Sequence, residues 1–383
     1  MRLITLAMTN FRNYRRQSCH FAPGLNLLEG ANAQGKTNLI EGVYYLSIGR
    51  AYRAARDEQL ARWESEGFQL QATIEGKNGK TGVSVDYRKS EKAAKKIFVG
   101  GLRLEKIEEL SGVLTSVLFS PDSMAVIKGG PQERRNFLDY DIAQISLAYS
   151  RNSQKYRRVL AQRNALLKKI GLSPMGKKEK EDRLSLWDQQ LIDYGTRIIA
   201  RRQTAVDKLT PLTRLAHRKL TEGKENIEIK YRVSTKDKGG WDGRGKSDEE
   251  IKAVLSQDRE DFLAEDLRWG STQWGPQRDD LEISLNGVDL RQFGSQGQQR
   301  TGVLALKLAE LEFFRGESGE YPILLLDDVM SELDKKRQER LLGFIDEKGI
   351  QCLITATEAK DIFSGRKDGL KRFVVKEGSV AEG

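Results

Sequence analysis

The chain has 383 residues, 38% of them apolar and 31% charged, enough for one large or two ordinary domains. Its net charge of +10 and isoelectric point of about 9.3 serve either solubility alone or an anionic polymer as partner. Two distant cysteines (Cys19, Cys352) and two histidines (His20, His217) argue against a disulfide scaffold, a Cys/His metal site and a histidine triad, and fit a reduced cytoplasmic protein.

No run of 18 apolar residues occurs, and Met1–Leu6 has no signal-peptide plan, so no membrane span is expected. An isolated transporter ATPase subunit would also lack a span. Residues 2–8 read as a strand, Phe11–Arg16 as a basic turn and 17–21 as a second strand. Arg12 either touches a nucleotide or sits in a solvated turn. Pro23-Gly24 breaks the chain before Leu25–Glu29, a short buried strand.

Gly30-Ala31-Asn32-Ala33-Gln34-Gly35-Lys36-Thr37 then fits G-x-x-x-x-G-K-[ST] and leads into a helix over 38–46. Gly30 and Gly35 let the backbone curl until successive N–H groups face phosphate oxygens. The helix start adds its positive dipole end. Lys36 is expected on the β- and γ-phosphates of ATP, and Thr37 on Mg²⁺.

An arginine-spaced loop follows (Arg50, Arg53, Arg56). Residues 68–75 and 81–87 alternate with period two and read as antiparallel strands. Residues 96–99 and 102–104 suggest another hairpin. Residues 114–119 read as a buried strand, and Ser120-Pro121-Asp122 as a helix start.

From about residue 124 the texture turns helical, over 131–145, 147–170 and 183–222, with a linker at 171–178. Residues 151–180 hold ten Lys/Arg against one acid, Glu179. A solvated helix face is the bland explanation. A DNA-backbone track through Arg151, Lys155, Arg157, Arg158, Lys168 and Lys169 is the one favoured, because the charge is local and single-signed. The helices lack sustained heptads, so no long coiled coil is expected. A strand over 227–233, a loop over 236–247 and a helix over 249–268 close this insertion.

Residues 281–285 form a strand after Gly275-Pro276-Gln277-Arg278-Asp279-Asp280. Ser295-Gln296-Gly297-Gln298 opens a helix, as an N-cap or as an anion contact. Ile323–Leu326 reads as a buried strand ending in Asp327 and Asp328. Adjacent carboxylates there are costly unless solvated or paired with a cation. Asp327 is expected to hold Mg²⁺ through water, and Asp328 to orient the attacking water. Ser331-Glu332-Leu333-Asp334, a polar helix and a strand over 351–355 follow.

The order of phosphate loop, S-Q-G-Q, apolar-Asp-Asp and S-x-L-D resembles the ATP-binding-cassette ATPases. Leu6–Tyr14, the Arg50 loop, Phe119–Asp122, Glu133-Arg134-Arg135-x-Phe137-Leu138-Asp139, Gly275–Leu281 and Leu326–Asp334 resemble the RecF family of bacterial recombination mediators, nearly end to end. The resemblance implies an α/β fold: a two-lobed cassette-type ATPase head (a P-loop NTPase) with an inserted, mostly helical arm. The expected division is 1–123 and 269–383 for the head and 124–268 for the arm.

It also implies a weak DNA-dependent ATPase that forms an ATP-driven homodimer on DNA. Partnership with RecR and RecO in loading recombinase at gaps comes from the same resemblance. Carried over, Ser295, Gly297 and Gln298 would meet the γ-phosphate held by a second copy, with Asp334 in the D-loop. The competing class is the ATPase subunit of a transport machine. Three positions depart from the pattern: Asp328 stands for the common Glu, Gln277 for a histidine, and Thr357 near an absent histidine switch. No Q-loop glutamine stands out.

Overall fold

The computed structural model describes residues 1–53, 56–89, 94–236, 241, 245–357 and 369–383. By contacts the chain divides into Met1–Met124 with Lys307–Gly383, and Ala125–Leu306.

In the first unit β1 (Arg2–Phe11), β2 (Tyr14–His20) and β3 (Leu25–Glu29) precede α1 (Lys36–Ile48). Then come β4 (Gly67–Gly76), β5 (Gly79–Arg88), β6 (Ala94–Val99), β7 (Leu102–Arg103) and β8 (Ser116–Phe119). The expected helix start at Ser120 is a 3-10 turn, Pro121–Met124.

The second unit holds α2 (Ala125–Lys128), α3 (Pro131–Ile145), α4 (Leu147–Ile170), α5 (Lys177–Thr221), β9 (Ile227–Arg232), α6 (Asp248–Asp261) and α7 (Leu263–Trp269). The helix expected over 249–268 is thus two, breaking at Phe262. After them run β10 (Asp280–Leu285), β11 (Val288–Asp289), α8 (Leu290–Phe293) and the start of α9 (Gln296–Ser318). β12 (Ile323–Leu326), α10 (Lys335–Lys348), β13 (Cys352–Ala356), β14 (Leu370–Lys376) and β15 (Ser379–Glu382) complete the first unit.

Two sheets flank α1 in the first unit. One is antiparallel, in the order β2-β1-β4-β5-β6-β7. Its strands alternate buried and wet positions, as one-sided sheets do. The other runs β15-β14-β3-β13-β12-β8, parallel from β14 to β8. All of β12 and β13 is buried, the continuous apolar run of a strand covered on both faces. Leu39, Ile40, Val43, Tyr45 and Leu46 of α1 are buried in the core shared with both sheets. A helix apolar on every side is one enclosed by its neighbours.

In the second unit α4 and α5 pack together, and α5 spans 45 residues. Residues 269–306, expected with the head, group by contacts with this unit. The reason is pairing: β10 lies antiparallel to β9, Leu281 opposite Tyr231 and Leu285 opposite Ile227. The sheet therefore ties the returning chain to the insertion.

Candidate nucleotide-binding site

The phosphate loop joins the end of β3 to α1 and is fastened by its own unit. The Asn13 amide donates to the Gln34 carbonyl (2.8 Å), and the Asn38 amide donates to Asn13 Oδ1 (2.8 Å). The Tyr14 hydroxyl donates to the Gly35 carbonyl (3.0 Å). From the β14–β15 turn, Glu377 N–H donates to Gln34 Oε1 (2.7 Å) and Gly378 N–H to the Gln34 carbonyl (3.0 Å). Two glycines are obligatory here. A Cβ at Gly30 would stand 2.3 Å from the Val375 carbonyl oxygen, and one at Gly35, whose φ is +121°, 2.7 Å from Asn13.

Lys36 is buried and turns its ammonium onto the loop's own carbonyls, Gly30 at 2.5 Å and Ala31 at 2.8 Å. Burial lowers its pKa, and Asp328 and Asp327 oppose that shift. A cation held by neutral acceptors beside a curled N–H loop is built to meet an anion.

Across from it, Thr37 Oγ1 donates to Asp327 Oδ1 at 2.8 Å. Thr355 on β13 donates to the same oxygen (3.0 Å) and accepts the N–H of Asp328 (2.8 Å). Burial raises the Asp327 pKa, and the two threonine hydrogen bonds lower it. Asp328 is exposed with φ +55°, a conformation uncommon outside glycine. Among the described residues no cluster of three or more His, Cys, Asp or Glu forms a metal cage. Thr37 and Asp327 still fit Mg²⁺, which takes few protein ligands and completes its shell with water and phosphate.

Four residues near the loop were given no site role by the sequence, Arg53 being noted only for its spacing. Arg53 reaches Asp122 (3.4 Å) and Asp327 (3.9 Å). Thr355 lay hidden inside an apolar strand, and Asn13 inside a basic turn. Trp63, 90% exposed, lines a cavity of about 560 Å³ with Arg12, Asn13, Asn38 and Arg62. Arg12 itself forms a two-pronged pair with Glu41 of α1 (2.7 and 2.9 Å), so it is not a freely solvated turn residue. Thr357 follows β13, and Glu358 lies outside the described residues.

In the second unit Ser295 and Gln298 cap α9 reciprocally: Ser295 N–H donates to Gln298 Oε1 (2.9 Å) and Gln298 N–H to Ser295 Oγ (3.2 Å). The N-cap reading is thus realised, and Ser295 and Gly297 remain exposed. Asp334, in the first unit, caps α10 by accepting from Arg337 N–H (2.9 Å). The six candidate DNA contacts on α4 are all exposed. Arg163, counted in the same charge excess, is fully buried and belongs to no surface track.

The family description "RecF/RecN/SMC N terminal domain" matches residues 2–378. The "DNA replication and repair protein RecF" of Halothermothrix orenii is 39% identical over 97% of this chain and 96% of its own. That of Acetivibrio thermocellus is 40% identical over 95% of each. The chain belongs to the RecF family. A solved RecF–ATP structure, described as a recombination mediator in the RecFOR pathway, superposes with a TM-score of 0.89 at 35% identity, covering 99% of this chain and 97% of that one. An Smc head matches at a TM-score of 0.56 and 14% identity over 100% of this chain and 97% of that one, a likeness of fold. The α/β head fold of RecF and Smc proteins is therefore the fold of this chain.

Two of the RecF-type motifs, Glu133–Asp139 and Gly275–Leu281, meet in the second unit. Arg134 grips Asp280 with two bonds (2.7 and 2.8 Å). Arg202 pairs with Asp139 (2.8 Å) and donates to the Pro276 carbonyl (2.8 Å). Asp279, wholly buried, accepts from the Tyr231 hydroxyl and Ser234 N–H, and burial pushes its pKa up to about 6. Gln277 accepts from the Tyr156 hydroxyl and donates to the Trp274 carbonyl, which ties this segment to α4.

Proposed function

We propose that this chain is an ATP-dependent DNA-binding protein of replication and repair, a slow ATPase used as a switch. The observation that carries the reading is the Thr37–Asp327–Thr355–Asp328 junction facing the phosphate loop. ATP would lie with its phosphates on residues 30–37 and its nucleoside toward the Trp63 cavity. Thr37 and Asp327 would hold Mg²⁺, which supplies charge neutralisation at the β- and γ-oxygens. Lys36 binds those oxygens, and Asp328 orients a water. Its side chain is one methylene shorter than glutamate, which suits slow turnover.

In this reading the triphosphate joins two copies, Ser295, Gly297 and Gln298 of one meeting the γ-phosphate on the other, with Asp334 beside it. The exposed cations of α4 contact DNA, and hydrolysis releases it. RecR and RecO are the proposed partners, following the RecFOR pathway in which the solved relative acts. Among the described residues no helix is long and apolar enough to cross a membrane.

Light scattering with ATP, ADP and no nucleotide, with and without duplex DNA, tests the switch. Dimers that appear only with ATP support it, and Lys36→Met abolishes them. Ser295→Arg keeps nucleotide binding and loses the dimer. Asp328→Asn accumulates dimers. A chain that stays monomeric with ATP and DNA overturns the reading.

A further inference from the structure

The second unit contains a cavity of about 170 Å³ between α3, α4, α5 and the Pro276-Gln277 segment. It is smaller than the roughly 300–1,000 Å³ that encloses a drug-sized ligand, and is sized for a single compact group. Three guanidiniums line it, those of Arg135, Arg157 and Arg202, against one carboxylate, Asp139. Asp139 is already claimed by Arg202 (2.8 Å) and by the Tyr149 hydroxyl (2.5 Å).

Arg135 is half-buried, yet its two hydrogen-bond acceptors are uncharged: the Asp279 carbonyl (2.6 Å) and Gln132 Oε1 (3.0 Å). Burial and the nearby Arg202 lower its pKa, and Asp280, Asp279 and Asp139 oppose that shift from a distance without hydrogen-bonding its side chain through a carboxylate oxygen. Ser153 lines the same cavity, and its Oγ is buried without a hydrogen-bond partner. Such an orphan costs free energy unless a ligand or water takes it. Arg157 stands one helical turn beyond Ser153, exposed at the mouth.

We propose that this cavity binds a phosphate group, and that its source is the backbone of bound DNA. Arg135 and Arg157 present planar forks that match phosphate oxygens. The Ser153 hydroxyl supplies a third donor. Arg151, Lys155 and Arg158 continue on the exposed face of the same helix, so a strand seated in the cavity has further charges to follow. The DNA source rests on the function proposed above. The phosphate chemistry stands on the cavity alone.

The test uses the full chain with ATP and Mg²⁺, and a labelled duplex titrated by anisotropy across a KCl series. Ser153→Asp places a carboxylate in the cavity, and Arg157→Ala removes an exposed fork without touching the core. Each is expected to weaken binding about tenfold and to flatten the slope of log K against log[KCl] by about one. Ala161→Asp, exposed on α4 and outside the cavity, makes the same charge change as Ser153→Asp and is expected to do less. Equal losses for the two aspartates, or an unchanged slope in Arg157→Ala, overturn the DNA source.

Inorganic phosphate separates the two layers. With ATP saturating, it should raise the melting temperature of the wild type, and Arg157→Ala should blunt that rise. No rise in the wild type overturns the site. A rise with no duplex binding at all would defeat the DNA reading and uphold the phosphate site.

Discussion

Lys36 and Arg163 are both buried cations, and they carry opposite meanings. Arg163 donates to Asp188 (2.6 Å), Asp266 (2.6 Å) and Thr272 (2.9 Å), and lies over the Trp274 ring at 5.2 Å. Arg259 joins Asp188 from the other side at 3.6 Å. Two cations and two carboxylates balance in charge within the chain, although Arg163 Nη2 itself finds no hydrogen-bond acceptor. Lys36 instead rests on two backbone carbonyls, acceptors of partial charge that triphosphate oxygens outbid. A charge matched internally reports on stability, and a charge left with neutral partners reports on a ligand.

Substitutions can break this contrast, and the largest effect belongs to Arg163. Arg163→Met leaves two buried carboxylates under-compensated and should cost about 3–5 kcal/mol in urea unfolding. Its equality with wild type would remove the distinction. Lys36→Met should do the reverse. Loss of charge-assisted bonds to phosphate weakens ATP by about 3 kcal/mol, roughly a hundredfold, in calorimetric titration. The nucleotide-free melting temperature stays level or rises, because a desolvated ammonium is gone.

Two smaller changes sharpen the picture at the site. Trp63→Ala should weaken ATP by about 1–3 kcal/mol through lost base stacking, while inorganic triphosphate binds as before. Equal losses for both ligands would place the base elsewhere. Thr355→Val removes one donor from Asp327 and the acceptor for Asp328 N–H. It should slow single-turnover hydrolysis about tenfold, near 1.4 kcal/mol, with ATP binding unchanged. A parallel fall in affinity would make Thr355 a part of the binding surface instead.

The same contrast governs what could be read in advance. The loop, its strand and α1 were legible because glycine spacing, an apolar run and a helix start coincide in a few residues. The burial of Arg163 was written in the stripe Tyr156, Val159, Arg163, Leu167 and Ile170, all buried, but a tally of charge hid it. β14 and β15 went unread. Only Phe373 and Val375 of β14 are buried, and its partner β3 lies far back in the chain, Leu370 opposite Leu25. The junction of the second unit followed from β9–β10 pairing, which no local pattern announces. Thr355 looked like one more β-branched core residue until its neighbours were in place.

The hairpin that holds Gln34 through Glu377 and Gly378 gives β14 and β15 a lever on the phosphate loop. β14 leans on β3 at one edge of the parallel sheet, so peeling it away spares β13, β12 and β8. A protease nick or a bulky fusion at that edge would therefore loosen the phosphate loop while most of the head stayed folded. Antibodies aimed at this hairpin would disturb nucleotide binding rather than act as bystanders.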